Sequence, residues 1–411
     1  MLILRLVLAS VLVTVVAVLW LPGVSEFLCL VKRRRPVDPE REPGGELPRL
    51  LFLVPAHDEE MLISGCVRSL LALAYPPERR RVIVIADNCA DTTAKIAGEL
   101  GAEVFERFDP NLPGKPRAIA WALGRIELAR WDACIIVDAD STVATSFAAG
   151  VAKLAPLNDI VFQPNNGVLN EAENWLTRLG GLLGRCRFQV TYPLKQSAGL
   201  NCPISNGMGF GTNLLIKDGW RSFSITEDIE LFAVYTEAGV PIRHASTADL
   251  FSQEARSLKQ SATQRRRWMA GRISTLIDWT PRLLRSPNIS WHQKIDALAE
   301  VALPAPVLHL LAAVASAVVA LVVVGGELGL WIAIAAVASL SAIAITTIAA
   351  IARHPQPWRT ILSFFMLPLY AIWRLRVILA TFGTLGDTSW RRTARSAPHV
   401  ASPLPMTDTQ G

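Results

Sequence analysis

Two aspartates placed two positions apart are the side chains best suited to chemistry in this sequence. Asp138 and Asp140 follow the apolar run Cys134–Val137. If the chain turns where that run ends, one carboxylate can ligate a divalent ion while the other contacts a ribose. Mg²⁺ or Mn²⁺ held by few carboxylates, with phosphate oxygens and water in the remaining positions, is what diphosphate chemistry requires. The alternative is a pair of solvated acids at the end of a strand.

A second acidic cluster could remove a proton from a substrate. Thr226 can cap a helix running through Glu237, which places Glu227 and Asp228 in the first turn of that helix. A carboxylate held there could act as a general base toward an attacking hydroxyl. The alternative is structural, because acids favour the N-terminus of any helix.

Three further segments contain groups that suit a nucleotide. Pro55, His57 and Glu59 directly follow an apolar run, where a loop could hold a base. Asp87 follows the next apolar run and could accept hydrogen bonds from a uracil N–H or from ribose hydroxyls. Lys115 follows a glycine at the start of a helical pattern, so its ammonium and nearby backbone N–H groups could bind a diphosphate.

A basic stretch from Gln264 to Arg285 contains six arginines interleaved with tryptophans and aliphatic residues. This pattern is typical of an amphipathic helix at a membrane surface, and a solvated basic helix is the alternative. Gln264, Arg267 and Trp268 stand at positions i, i+3 and i+4 and therefore share a helix face. That face could bind a diphosphate and stack on an acceptor sugar.

The elements that must position these residues alternate between strands and helices. The predicted strands are Leu50–Val54, Val82–Ile85 and Cys134–Val137, and the predicted helices are Glu59–Ala74, Asp91–Leu100 and Lys115–Ala129. Asp91 is expected to cap its helix and Gly101 to end it. This alternation predicts a mostly parallel sheet covered by helices, in which ligands bind beyond the carboxyl ends of the strands.

Both ends of the chain contain runs of apolar residues that could lie in a membrane. Residues 1–24 are expected to form a transmembrane anchor rather than a cleaved signal peptide, because the apolar run is long and no cleavage site follows it. Residues 25–48 read as a linker that contains the basic cluster Lys32–Arg35. Since basic residues favour the cytoplasmic side, the part that follows is expected in the cytoplasm.

Residues 299–390 are expected to contain the C-terminal membrane segments. Ala299–Val324 and Leu328–Ala352 are clear spans, separated by a short loop without basic residues. Residues 361–385 carry two arginines, which are costly in lipid, so an interfacial or re-entrant segment and a third span both remain open. Residues 391–411 read as a cytoplasmic tail.

Composition excludes several classes of protein. Apolar residues make up 51% of the 411 residues and charged residues only 18%, below the usual share of a soluble domain. The net charge of +6 comes partly from clusters at membrane boundaries, so we expect contact with anionic lipid and no nucleic acid. The six cysteines form no C-x-x-C pair, which argues against a disulfide framework or a zinc site.

The order of the clusters resembles that of a known family. The segments Pro-Ala-His-Asp-Glu, Ala-Asp-Asn-x-x-Asp, Gly-Lys, Asp-Ala-Asp, Thr-Glu-Asp and Gln-x-x-Arg-Trp occur in that order between roughly residues 49 and 285. Together they resemble glycosyltransferase family 2, in particular the membrane-bound branch of cellulose, hyaluronan, chitin and poly-N-acetylglucosamine synthases. The resemblance implies an α/β glycosyltransferase-A fold, a UDP-sugar donor, Mg²⁺ or Mn²⁺, and inversion at the anomeric carbon.

The resemblance also implies roles for individual residues. Asp228 would be the catalytic base, and Asp138 and Asp140 would serve the metal. The residues implied in donor binding are Pro55, His57, Glu59, Asp87, Lys115, Asp138, Gln264 and Arg267. The residues implied in acceptor binding are Asn206, Gly207, Met208, Glu227 and Trp268. Asp58 stands where the family usually has Asn, and Pro116 where it commonly has Gly, which leaves the preferred donor sugar open.

The sequence therefore predicts a catalytic domain over residues 49–255, followed by interfacial helices over 256–298, at the cytoplasmic face of the plasma membrane. The acceptor would be a polysaccharide or a lipid-linked molecule, with a partner subunit for export as a further expectation. A processive synthase and a single-addition lipid glycosyltransferase remain open. A non-catalytic membrane scaffold or transport subunit and a nucleotidyltransferase are the alternatives from other classes.

Overall fold

A mixed sheet of eight strands forms the centre of the computed structural model, which describes residues 2–32, 45–302 and 306–382. The strands are β1 (Leu50–Ala56), β2 (Arg80–Asp87), β3 (Glu103–Arg107), β4 (Ala133–Ile136), β5 (Thr142–Val143), β6 (Val161–Val168), β7 (Gly209–Gly211) and β8 (Ile242–Ser252). Their spatial order is β3-β2-β1-β4-β7-β6-β8-β5. Strands β1 to β4 run parallel, β7 is antiparallel to both of its neighbours, and β6 and β8 are parallel. The predicted mostly parallel sheet is confirmed.

Helices cover both faces of the sheet, and further helices form the apolar regions near the two ends of the chain. Those before the C-terminal apolar region are α1 (Leu2–Lys32), α2 (Ile63–Leu71), α3 (Thr93–Glu99), α4 (Lys115–Leu123), α5 (Phe147–Ala152), α6 (Trp175–Arg185), α7 (Tyr192–Ser197), α8 (Thr212–Asp218), α9 (Glu227–Glu237), α10 (Leu258–Arg285) and α11 (Trp291–Ala302). Those within it are α12 (Pro306–Val319), α13 (Gly326–Ala338), α14 (Ser341–Ala352), α15 (Pro357–Ser363) and α16 (Leu367–Phe382). Cys186–Thr191 and Ala320–Val324 are π-helical segments.

The register of the parallel strands brings their polar ends together. Ala56 lies opposite Ala86, so His57 and Asp87 leave the sheet side by side. Leu53 lies opposite Ile136, so the chain after β4 emerges beside the end of β1. Because the central strands are apolar on both faces, helices must cover both sides, and the polar residues are confined to the strand ends.

Two hydrophobic cores lie on the two faces of the sheet. One is formed with α2, α3 and α5. The other is formed with α4, α8, α9, α10 and α11, and includes Trp279 and Leu283 of α10 and Ala297 and Val301 of α11. The last two helices of the second core come from the segment predicted to lie at a membrane surface. Part of the apolar side of α10 therefore packs into the second core. Another apolar residue of the same helix, Ile277, is 67% exposed.

Three helices are shorter than predicted. Helix α2 begins at Ile63 rather than Glu59, because residues 59–62 form a turn in which Leu62 N–H donates to the Glu59 carbonyl. Helix α4 ends at Leu123. Helix α3 begins at Thr93, so its cap position is Thr92 and the predicted cap at Asp91 is wrong by one residue. The Asp91 carboxylate still accepts the Thr93 N–H at 2.9 Å.

Gly101 ends α3 as predicted, with a φ of +95° that a glycine adopts without strain. Helix α9 spans the predicted residues, with Thr226 at the cap position. The Thr226 hydroxyl, however, makes no capping hydrogen bond. The predicted helix end is therefore confirmed and the predicted capping bond is wrong.

Four helical stretches within the described residues are long and apolar enough to cross a membrane: Ile3–Lys32, Pro306–Val324, Gly326–Ala352 and Pro357–Ala380. The first helix continues past residue 24 to Lys32 and so includes part of the predicted linker; residues 33–44 of that linker lie outside the described residues. The last stretch contains two arginines whose charge would be costly in lipid. One of them, Arg374, is buried within the protein. The predicted tail, residues 391–411, lies outside the described residues.

Candidate active site

A partly buried lysine joins two of the predicted acidic clusters. Lys115, the first residue of α4, places its Nζ 2.7 Å from Asp138 Oδ1 and 3.0 Å from Glu227 Oε1. Burial opposes the charge on the ammonium, but the two acids outweigh burial and raise the pKa of Lys115 above its usual range. Residues from the ends of β4, α4 and α9 thus meet at one point beyond the sheet.

The Asp-Ala-Asp segment forms a turn directly after β4. Ser141 N–H donates to the Asp138 carbonyl at 3.0 Å, and the Ser141 hydroxyl donates to Asp140 Oδ1 at 3.0 Å. This turn replaces the opposite orientation that two residues at i and i+2 would have in a regular strand. The two carboxylates are therefore held by different partners, Asp138 by Lys115 and Asp140 by Ser141.

The predicted acceptor loop supports the same turn. The Asn206 Oδ1 accepts the Asp138 N–H at 3.0 Å, and the Asn206 Nδ2 donates to the Ser141 hydroxyl at 2.6 Å. Gly207 has a φ of +81°, and a Cβ there would meet Leu250 and Pro164, so only glycine fits without strain. Met208 is buried. Asn206 thus holds Asp138 through its backbone, a contact that the sequence did not suggest.

Asp87 is buried at the end of β2 and is paired with an arginine. Arg107 Nη1 donates to Asp87 Oδ1 at 2.5 Å, and both side chains are at most 7% exposed. The other carboxylate oxygen of Asp87 accepts the Gly114 N–H at 3.3 Å, which ties this aspartate to the loop before Lys115. His57 Nδ1 lies 2.7 Å from the Asp87 carbonyl.

The remaining residues of the first predicted cluster surround this pair. Pro55 lies within β1 opposite Ile85, so it belongs to the strand rather than to a loop. Glu59 lies in the turn before α2, and its N–H donates to the Thr93 hydroxyl at 2.8 Å. His57 contacts Asp87 directly, through the Asp87 carbonyl.

Asp228 lies one residue beyond Glu227 and is partly shielded from solvent. Burial, and after it the neighbouring Glu227 carboxylate, raises the pKa of Asp228 from 3.8 to about 6. The Ile229 N–H donates to Asp228 Oδ1 at 2.8 Å and opposes this rise, as do the cations Lys115 and Arg272. A carboxylate with a pKa near 6 can accept a proton and still be ionised at neutral pH.

Helix α10 carries Gln264, Arg267 and Trp268, and it packs beside the acidic helix. At Gly271, helix α10 lies so close to the start of α9 that a Cβ would collide with Thr226, the residue before Glu227. Trp268 is 42% exposed, and the Arg265 guanidinium lies 5.8 Å from the centre of its ring. The packing of α10 beside α9 is what brings Gln264, Arg267 and Trp268 toward the acids.

The family described as "Glycosyltransferase like family 2" matches residues 48–271, more than half of the chain. The chain belongs to this family. The matched segment starts before β1 and ends one turn of α10 beyond Trp268, so it contains every carboxylate described above.

Curated relatives support the same family. Probable glycosyltransferase YdaM of Bacillus subtilis (strain 168) is 29% identical over 245 residues, covering 56% of this chain and 57% of that protein. Beta-monoglucosyldiacylglycerol synthase of Trichormus variabilis (strain ATCC 29413 / PCC 7937) is 28% identical over 206 residues, covering 48% of this chain and 43% of that protein. The alignments thus span about half the length of these relatives.

A solved structure shares the fold. Mannosyltransferase PcManGT from Pyrobaculum calidifontis, in complex with GDP-Man and Mn²⁺, superposes with a TM-score of 0.56 at 16% identity, covering 93% of this chain and 100% of that chain. The likeness at this identity concerns the fold alone. It confirms the glycosyltransferase-A class predicted for the domain, with apolar helices at both ends of it.

Two places in the family domain offer carboxylates for a metal. Within the described residues, Asp58, Cys89 and Asp91 bring their ligand atoms within 4.8 Å of one another. Asp58 Oδ1, however, accepts the Ala90 N–H at 2.7 Å, and burial raises the pKa of the Cys89 thiol to about 11. A protonated thiol is a poor ligand for a hard divalent ion, and the acids already accept backbone N–H groups. This cluster therefore fits a structural connection between two loops better than a metal site.

The pair Asp138 and Asp140 fits the ion better. Both groups are oxygen donors, they lie on one turn, and Asp138 already holds a cation, the Lys115 ammonium at 2.7 Å. Two protein carboxylates leave coordination positions for phosphate oxygens and water, as Mg²⁺ and Mn²⁺ require. The chemistry of this donor set therefore favours Asp138 and Asp140 as metal ligands over the cluster at Asp58.

Sequence reasoning missed several residues around the acids. Arg107 was missed because β3 carries too few apolar residues to be recognised as a strand. Ser141 was missed although it directly follows the acidic pair, and a hydroxyl beside two acids was a usable signal. Arg187 and Arg272 interact electrostatically with Asp228 but lie far from it in the sequence. Arg187 gave no signal, and Arg272 was noticed only as part of the basic stretch Gln264–Arg285.

Proposed function

We propose that this protein is an inverting glycosyltransferase that transfers one sugar from a UDP-sugar to a lipid acceptor at a membrane. The observation that carries the proposal is the position of Asp228. This acid, with a pKa raised to about 6, adjoins the Lys115–Asp138–Glu227 cluster. Arg187 and Arg272, which interact electrostatically with it, also interact with Glu300 of α11, the helix that precedes the C-terminal apolar helices. A base, a diphosphate site and a route to the membrane thus come together.

The donor would bind across the carboxyl ends of β1, β2 and β4. Asp87 is held rigidly by Arg107 and could accept hydrogen bonds from the uracil or the ribose, with Pro55, His57 and Glu59 around it. Lys115 lies between this region and the acids, where its ammonium could contact the diphosphate. Gln264 and Arg267 would add polar contacts from α10, and Trp268, Glu227 and the loop Asn206–Met208 would contact the acceptor.

Asp138 and Asp140 would hold Mg²⁺ or Mn²⁺. The bound ion supplies positive charge that stabilises the departing diphosphate. Lys115 would add to that charge from the protein side, and Asn206 and Ser141 would keep the two carboxylates in place.

The transfer is a single displacement. The acceptor O–H gives its proton to Asp228, the acceptor oxygen forms a bond to the anomeric carbon, and the bond from that carbon to the diphosphate oxygen breaks. The leaving group is UDP, and attack from the opposite face inverts the anomeric centre. One base is sufficient, since no covalent sugar–enzyme intermediate forms.

A lipid acceptor with a single addition is favoured over a growing polysaccharide. The beta-monoglucosyldiacylglycerol synthase of Trichormus variabilis, named above, carries a lipid in its name. In addition, four apolar stretches within the described residues leave little room for a secretion channel in one protomer. The basic residues after the first helix would place the catalytic domain on the cytoplasmic side of the cell membrane.

The test uses the full chain in nanodiscs. UDP release is measured with UDP-glucose, UDP-N-acetylglucosamine and UDP-galactose, and GDP release with GDP-mannose, each with Mn²⁺ or Mg²⁺ and membrane lipid extract. We expect metal-dependent release from one donor, no release by Asp228→Asn, and a lipid heavier by one sugar in mass spectra. A ladder of products would replace the single addition by polymer synthesis. Absence of binding to every donor would overturn the enzymatic proposal.

A further inference from the structure

A cavity of about 270 Å³ lies between the catalytic domain and the apolar helices. Its lining residues come from α1, α6, α7, α10, α11, α12, α14, α16, the π-helical segment after α6 and the turn before α16. Leu182 and Leu183 of α6 and Val307 of α12 are among the apolar ones, and Lys195, Asp296 and Glu300 form an ionic cluster in one part of the wall. A space with both an apolar and an ionic part matches the two parts of an amphiphile.

The polar end contains a buried ionic cluster with one open position. Lys195 Nζ lies 2.7 Å from Asp296 Oδ1 and 2.7 Å from Glu300 Oε1, and Lys195 is 3% exposed. The Ser25 hydroxyl donates to the same Asp296 Oδ1 at 2.7 Å. The second oxygen, Asp296 Oδ2, is buried and accepts no hydrogen bond from the residues that the structure describes. A buried carboxylate oxygen without a donor is costly, so a ligand O–H or N–H that reaches Oδ2 after a small rotation of the Asp296 side chain would be stabilised.

The cluster is connected to the proposed base. Arg272 donates a hydrogen bond to the Glu300 carbonyl and interacts electrostatically with Asp228. Arg187 lines the cavity, lies 3.9 Å from Glu300 Oε2, and interacts with Asp228 as well. Arg187 and Arg272 thus link the polar end of the cavity electrostatically with Asp228, where the proposed reaction needs the acceptor hydroxyl.

The charges in the cavity favour a neutral head group. The charged lining residues are Arg187, Lys195, Arg265, Glu26, Asp296 and Glu300. The cations are already engaged: Lys195 by two acids, and Arg265 by the Ser261 hydroxyl at 2.8 Å and by the Tyr370 ring. A phosphate would therefore meet as many carboxylates as cations and would have to displace existing ion pairs, which is costly in a buried site.

We propose that this cavity binds the acceptor lipid, and that the lipid has a neutral head group with at least two polar hydrogens. One polar hydrogen belongs to the hydroxyl that reacts at Asp228, and another is donated to Asp296 Oδ2. A cavity of about 270 Å³ has room for the head group and the first methylenes, and the rest of each acyl chain extends out along the apolar helices. This inference rests on the proposed transfer to a lipid, but binding in the cavity is measurable without any transfer.

The test measures lipid binding by native mass spectrometry on the full chain in detergent, together with the acceptor KM. The probes are a monoglycosyl diacylglycerol and a ceramide, which have two or more polar hydrogens, diacylglycerol, which has one, and a polyprenyl phosphate. We expect the first two to bind most tightly. Asp296→Asn, in which an NH₂ replaces Oδ2, should weaken their binding and raise KM by about tenfold or more. Asp278→Asn, on the exposed side of α10, is the matched control and should change neither.

A second variant avoids the risk that the ionic cluster fails to fold. Leu183 lines the cavity and is 40% exposed, so Leu183→Trp should reduce the space without unfolding the protein. Ile216→Trp, at a 55% exposed position outside the cavity, is its control. Tighter binding of polyprenyl phosphate, equal binding of diacylglycerol, or unchanged binding in both variants would overturn the inference. Donor binding and donor hydrolysis report separately on the proposed function, since neither requires the cavity.

Discussion

Asp228→Asn should abolish transfer and, at neutral pH, make the protein more stable. The pKa of Asp228 is about 6 in the folded protein against an ordinary 3.8. A difference of about 2 pKa units corresponds to about 3 kcal/mol of destabilisation when the acid is ionised. Asparagine keeps the oxygen that accepts the Ile229 N–H at 2.8 Å, but it carries no charge. The substitution therefore removes the energetic cost together with the base.

The stability difference between Asp228→Asn and the wild type should depend on pH. Above about pH 6 the Asp228 carboxyl is ionised in both the folded and the unfolded state, so the folded wild type bears the full cost. Below about pH 4 the carboxyl is protonated in both states, and the cost vanishes. The advantage of Asp228→Asn should thus be complete at about pH 7.5 and should disappear progressively as the pH falls from about 6 to about 4.

The assay is thermal unfolding of both proteins in the same detergent at about pH 7.5 and at about pH 4.5. For a catalytic domain of this size, about 3 kcal/mol corresponds to roughly 6–12 °C in Tm. Transfer by the wild type should fall about tenfold per pH unit below about pH 6, because the base becomes protonated. A variant that is less stable than wild type by the same amount at both pH values, or one that retains activity, would refute the reasoning.

The remaining predictions concern three other features. Gly271→Ala should lower kcat with little change in donor binding, because the added Cβ collides with Thr226 beside the proposed base; Gly98→Ala, where the nearest atom would be 3.8 Å away, should be nearly neutral in the same assays. Arg107→Leu should destabilise the protein by about 3–5 kcal/mol in unfolding experiments, since Asp87 would remain buried without its cation, and adding Asp87→Asn should restore most of the stability but not donor binding. Chelation of divalent ions should abolish transfer reversibly, with Mn²⁺ or Mg²⁺ restoring it in a titration; full activity in excess chelator would contradict a metal role.

The part of the fold that the sequence predicted is the part with two buried faces. Strands β1, β2 and β4 are continuous apolar runs, because helices cover both sides of them. Strand β3 contains three charged residues among its five and lies at the edge of the sheet, β5 and β7 are very short, and β8 contains several polar residues. None of these strands gives a periodic signal strong enough to separate it from a loop.

The candidate site was predictable as a set of acids but not as an arrangement. Asp138 and Glu227 are far apart in the sequence, and only the fold shows that both contact Lys115. Likewise, no local pattern indicates that Arg107 neutralises Asp87. Pairing between distant side chains depends on strand order and helix packing, which one sequence does not specify.

The core that α10 and α11 share with the sheet has a consequence for how the protein is made. Trp279, Leu283, Ala297 and Val301 complete that core, and they are synthesised after every strand. During translation the apolar side of α9 on which they pack remains uncovered until about residue 301 has left the ribosome, just before the C-terminal apolar helices follow. The sheet domain therefore completes its folding only when the apolar helices proposed to enter the membrane are being made. A delay at that point would expose this apolar surface to chaperones and to aggregation.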